Sequence, residues 1–121
     1  MEVDVLARLR LAASALEAKK AYRLLALDVS SRTSIADAFM ICSVGSSRQA
    51  QAVADEVDRQ LAADGARALS VEGYAQGGWI LMDYGDFILH IFQEERREYY
   101  ALERLWGDAP EVTELLRTAA S

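Results

Sequence analysis

The sequence predicts an α/β (α+β) fold: a single domain with one mixed sheet of about five strands and helices packed on it. Three observations carry this. Residues 38–44 form an almost continuous apolar run, as in a strand covered on both faces. Residues 3–19 repeat apolar side chains at helical spacing. Two short apolar runs, 79–84 and 87–92, flank Gly85-Asp86, the pattern of a hairpin with a two-residue turn. At 121 residues the chain suffices for one domain with a sizeable core and not for two.

In the first helix Val5, Leu6, Leu9, Ala12, Ala13 and Leu16 form the apolar stripe. Residues 23–29 read as a strand, 30–34 as a polar loop, and 38–44 as the buried strand. Gly45-Ser46-Ser47 ends that strand and opens a helix, with Ser46 or Ser47 as cap. Ala50, Val53, Val57 and Leu61 are its buried stripe, and Gly65 stops it in the left-handed conformation. Residues 67–72 read as a weaker strand and 73–78 as a flexible loop with three glycines. After the hairpin a helix is expected from Glu94 to Trp106. Asp108 is expected to cap a last short helix, with Glu111 as its capping-box partner and Pro110 in the first turn. The order is α-β-β-α-β-β-β-α-α.

Composition narrows the function. Nineteen acidic against thirteen basic residues give a net charge of −6, a poor match for bare nucleic acid or an anionic membrane. Direct DNA binding and a membrane role are not expected. The start lacks a signal-peptide pattern, and the lone Cys42 has no internal disulfide partner, so a cytoplasmic setting is expected. No Cys/His cluster suggests zinc, and no cofactor is expected.

The hairpin separates two faces. Tyr84 should oppose Phe87, Met82 oppose Leu89, and Ile80 oppose Ile91, giving an apolar face for the helices. The other face carries Trp79, Leu81 and Asp83 opposite Phe92, His90 and Ile88. That face is either a wetter part of the core or a surface that meets another protein. In the following helix Tyr99, Leu102 and Trp106 share a face. Tyr99 and Tyr100 would continue the Trp79 surface as anchors, with Arg96, Arg97 and Glu103 as rim.

Catalytic signals are weak. The Gly45-Ser46-Ser47 turn could cradle a phosphate, as in a nucleotidyltransferase, but the chain continues Arg48-Gln49-Ala50-Gln51-Ala52, without the acidic pair one residue apart that would hold metal ions there. Asp55, Glu56 and Asp58 come later, as solvated helix positions. Asp83, Asp86 and His90 are the one local carboxylate–histidine set, and no nucleophile or second base stands near them. Cys42 is expected to be a small core residue.

Two groups of residues resemble the ribosomal silencing factor (Iojap-like) family. The first is Ser34 to Ser43 followed by Gly45-Ser46-Ser47-Arg48-Gln49. The second is Glu72-Gly73, Gly78 to Asp86, His90-Ile91-Phe92, Arg97-Glu98-Tyr99-Tyr100 and Leu102 to Trp106, with Leu27-Asp28-Val29 fitting the first strand. The resemblance covers about residues 3–110 of a single domain at 1–121, leaving 111–121 as an extension. It implies a non-catalytic protein with a nucleotidyltransferase-like fold that lacks the catalytic acids. It implies binding to the large ribosomal subunit through that subunit's protein number fourteen, with little direct RNA contact. Such a protein blocks joining of the small subunit, represses translation when nutrients run short, and is often a homodimer when free. Carried onto this chain, the expected partner-binding residues are Trp79, Leu81, Asp83, His90, Phe92, Tyr99, Tyr100, Leu102 and Glu103.

Overall fold

Helix α1, Val3–Ala18, buries Val5, Leu9, Ala12 and Leu16 at intervals of three and four, as the apolar spacing predicts. The computed structural model describes residues 3–100, 102–106 and 108–116, and the side chains of all of these except 98–100, 102 and 103. Strand β1, Tyr22–Asp28, starts and ends one residue earlier than expected. All seven residues of β2, Ala38–Val44, are buried. Helix α2, Ser47–Ala63, takes Ser46 as its N-cap, whose hydroxyl accepts the Gln49 N–H at 3.0 Å. Gly65 ends the helix at φ 84°, the left-handed position where glycine has no Cβ penalty.

Strand β3 is only Ser70–Glu72, shorter than the expected 67–72. The backbone at 66 is still closing the helix end, its N–H bonding back to Leu61 O at 2.8 Å, so pairing starts late. Strands β4, Trp79–Asp83, and β5, Phe87–Gln93, form the expected hairpin. Trp79 pairs with Phe92, Ile80 with Ile91, Leu81 with His90, Met82 with Leu89 and Asp83 with Ile88. Gly85 sits at φ 88° in the turn. Helices α3, Glu94–Tyr100, and α4, Leu102–Leu105, fall within the segment expected to be helical, and residue 101 between them lies outside the described residues.

The five strands form one mixed sheet in the order β1-β2-β5-β4-β3. Among the described residues only β2 and β5 run parallel; the other neighbours are antiparallel. The main core lies between the sheet and α1 with α2, and takes in Ile80, Met82, Tyr84, Phe87, Leu89 and Ile91, the hairpin's apolar face. A smaller cluster on the opposite face holds Leu27, Val29, Phe39 and Ile88, with Leu81 and Trp106 packed against it.

One expected element is not formed. Asp108 does not cap a helix with Glu111. Instead the chain from Pro110 runs along β1. Asp28 N–H donates to Pro110 O and Val112 N–H to Ala26 O, both at 2.8 Å, while Leu27 bridges Glu111. Ala26 N–H donates to the Thr113 hydroxyl at 3.0 Å. The physical reason is that the edge of β1 carries backbone groups that need partners, and this segment supplies them. Asp108 faces Arg32 at 3.4 Å, and the last turn is a 3-10 helix at Thr113–Leu116.

Candidate protein-binding face

The two strands of the mixed hairpin face differ in depth. On β5, Ile88, His90 and Phe92 are buried, with Phe92 wholly enclosed and His90 6% exposed. On β4, Trp79, Leu81 and Asp83 are each only half-buried. Next in the sheet, Ser70 pairs with Asp83 and Glu72 with Leu81, and both are exposed. The face is therefore core at the centre of the sheet and open towards β3.

A row of rings crosses it. Trp106 meets Phe39 edge-on at 5.1 Å, and Phe39 meets His90 edge-on at 5.6 Å. His90 lies nearly parallel to Phe92 at 6.1 Å, and Trp79 stacks on Phe92 at 4.9 Å. Trp79 also donates its indole N–H to His90 Nδ1 at 3.1 Å. That bond requires an imidazole with Nδ1 unprotonated. Burial supplies it, lowering the His90 pKa from 6.5 to about 4.

The chain has one histidine, so its titration is separable. The unfolded chain takes up the proton as pH falls below the ordinary value, whereas the folded chain resists until about 4. This contribution to stability is intact above pH 6.5 and is lost progressively between 6.5 and 4, by about 3 kcal/mol in all. Urea unfolding of wild type and His90→Asn at pH 7 and pH 4.5 measures it. The stability gap between the two should narrow by about 2 kcal/mol at the lower pH.

The Trp79 end of the row is anchored by the glycine loop, which is tied down at many points. A Cβ on Gly73, at φ 80°, would lie 2.1 Å from the Trp79 carbonyl oxygen. Gly77 N–H bonds to Gly73 O at 2.9 Å, and Gln93 holds Gly77 O and Gly78 O at 3.1 and 3.0 Å. Gln51 reaches Tyr74 O at 2.9 Å, and the Tyr74 hydroxyl donates to Asp55 at 2.9 Å. The Arg96 guanidinium lies against Gly78, where a Cβ would be 3.2 Å from it.

The expected rim residue Arg97 is not on the rim. It is 4% exposed and donates to the Ser43 hydroxyl at 3.0 Å and the Arg23 carbonyl at 2.5 Å. Ser43 donates onward to Glu94 at 2.9 Å, and Arg23 also meets Glu94, at 2.5 Å. The inward turn has a physical cause. Arg23, at φ 53° beside an irregularity in β1, leaves a carbonyl to be satisfied, and the guanidinium reaches it. The side chains of Tyr99, Tyr100, Leu102 and Glu103 lie outside those described.

The other chemical candidates do not converge. Asp83 accepts the Gly85 N–H at 2.8 Å, Asp86 pairs with Arg8 at 2.5 Å, and His90 Nδ1 holds Trp79. Among the described residues no group of three or more His, Cys, Asp or Glu side chains could hold a metal ion. Cys42 is fully buried and its thiol is pushed up to about 12 by desolvation, so it stays protonated as a core residue. At the Gly45-Ser46-Ser47 turn, the Gly45 N–H bonds to Gln49 Oε1 at 2.7 Å and the Gln49 N–H to Ser46. Gln49 also donates to Lys19 O and Lys20 O, both at 3.1 Å, joining the end of α1 to the start of α2. The Ser-x-x-Gln spacing of 46–49 is the capping-box signal that could have revealed Gln49. A cavity of about 510 Å³ lies between the end of α1, the start of β1 and Leu116, and no residue of the ring row lines it.

Fold and face together define a small α+β protein whose half-covered sheet face presents a row of rings. The chain belongs to the ribosomal silencing factor family: the family profile described as "RsfS: Ribosomal silencing factor during starvation" matches residues 3–121, past Pro110. The ribosomal silencing factor RsfS of Halalkalibacterium halodurans is 43% identical over 104 residues, spanning 86% of this chain and 89% of that protein. That of Bacillus subtilis is 42% identical over 102 residues, spanning 84% and 86%. A crystallised protein from Chromobacterium violaceum matches the fold with a TM-score of 0.82 at 34% identity, over 88% of each chain.

Proposed function

We propose that this protein binds the large ribosomal subunit through that subunit's protein number fourteen and, by standing where the small subunit joins, lowers translation when nutrients are short. It acts by occupancy and without catalysis, in the cytoplasm. The observation that carries this reading is the open β4 half of the ring-bearing face. Trp79, Leu81 and Asp83 are half-buried there, beside exposed Glu72 and Ser70 on β3. A large indole held on a rigid sheet and left partly uncovered is the residue type that dominates protein interfaces. His90 and Phe92 serve beneath it as support, and Tyr99, Tyr100, Leu102 and Glu103 extend the contact from α3 and α4. Family membership supplies the ribosome as the setting. When free, the protein pairs with a second copy through the same apolar surface, so dimerisation and subunit binding compete.

Charge fits the same partner. A chain of net charge −6 is drawn to basic ribosomal proteins and repelled by the surrounding RNA. Raising the salt from low to high ionic strength should slow association by about tenfold, measured by stopped-flow mixing with large subunits. A rate insensitive to salt would remove this electrostatic account. The binding reading itself is tested by cross-linking the protein to purified large subunits and identifying the attached polypeptide. Protein number fourteen is the expected partner, and attachment to other components alone would contradict it.

A further inference from the structure

We infer that His90 is a positioning residue for the docking face: it holds the Trp79 indole N–H inside the sheet, so that a partner meets ring carbons and not a hydrogen-bond donor. This rests on the reading that Trp79 docks the partner, and goes beyond it by stating how the residue is presented and what the partner need not supply.

The geometry is specific. The indole N–H points to His90 Nδ1 at 3.1 Å, and His90 is 6% exposed. His90 cannot swing away, because Phe39 abuts it edge-on at 5.6 Å and Phe92 lies within 8° of parallel to it. Trp79 is held from a second direction by stacking on Phe92 at 26° and 4.9 Å. Two independent contacts therefore fix both the tilt and the rotation of the indole. A half-buried indole normally seeks an acceptor for its N–H, and here that acceptor is provided from below. What remains for a partner is the uncovered part of the ring, which favours contact by shape and dispersion. Fixing the ring beforehand also lowers the ordering cost of binding.

Four variants separate this role from simple packing, with purified large ribosomal subunits as the binding probe. His90→Phe keeps a ring in the row and removes the acceptor. His90→Asn removes the ring and keeps an acceptor near the Nδ1 position. Trp79→Phe keeps a ring and removes the donor, and Trp79→Ala removes the contact. His90→Phe should weaken binding by about tenfold, with Asn restoring most of the loss. Trp79→Phe should retain more affinity than Trp79→Ala. A second readout needs no partner. In a ¹⁵N spectrum the Trp79 indole N–H, assigned with Trp106→Phe, should exchange slowly with solvent in wild type and His90→Asn and quickly in His90→Phe. Wild-type affinity in His90→Phe, or a freely exchanging indole in wild type, overturns the inference while leaving Trp79 as a contact. Wild-type affinity in Trp79→Ala overturns the docking face itself.

Discussion

Trp79→Ala is expected to weaken binding to large ribosomal subunits by about thirtyfold or more while the chain remains folded. The magnitude follows from the place of the side chain. Trp79 is the largest half-buried residue of β4, with Phe92 stacked beneath it at 4.9 Å and His90 bonded to its N–H. Truncation removes the ring a partner would cover and leaves a depression floored by the imidazole. The fold should survive, because the main core lies on the other face of the sheet and Trp79 is not in it. Stability should fall by about 1–2 kcal/mol for the lost stacking and hydrogen bond. Binding by microscale thermophoresis, with circular dichroism as the folding control, checks both halves. Unchanged affinity would take Trp79 out of the interface.

Arg97→Ala should carry the largest stability cost of the polar substitutions, about 3 kcal/mol. Its guanidinium, almost fully buried, joins the Arg23 carbonyl and the Ser43 hydroxyl, and through Ser43 reaches Glu94. Removal takes this donor from the buried Ser43 hydroxyl of β2 and from the Arg23 carbonyl of β1, and loosens the α3 start from the sheet. For a domain of this size the melting temperature should drop by about 10 °C or more. Arg97→Lys can reach one of the two acceptors and should lose less, since the planar fork is what serves both. Calorimetry on the three proteins measures it, and an Arg97→Ala melting point equal to wild type would show that the network contributes nothing to the fold.

Much of this architecture is legible locally. The turn at Gly85-Asp86 fixes the hairpin register, and the register fixes which residues share Trp79's face. The unbroken apolar run at 38–44 signals a central strand, and it is one, enclosed by β1, β5 and helices. The parts that escape local pattern depend on distant partners. Nothing near Glu111 in sequence indicates that it will bridge Leu27, since the demand comes from unpaired backbone on β1. Arg97 looks like one more charge on a solvated helix until Ser43 and the Arg23 carbonyl are brought beneath it. The division of the mixed face is likewise tertiary. β5 pairs with β2 on one side and β4 on the other, so His90 and Phe92 are enclosed while Trp79 and Leu81 stay half open. Sequence alone places all four on one face and cannot rank them by depth.

The proposed function requires that this face occupy the large subunit and thereby exclude the small one. Sucrose-gradient sedimentation of purified subunits under joining conditions, with and without excess protein, tests it most directly. The protein should travel with the large subunit and the joined particle should decline as free subunits accumulate, with Trp79→Ala losing both effects. Protein sedimenting with intact joined particles, or joined particles undiminished at saturating protein, would contradict it.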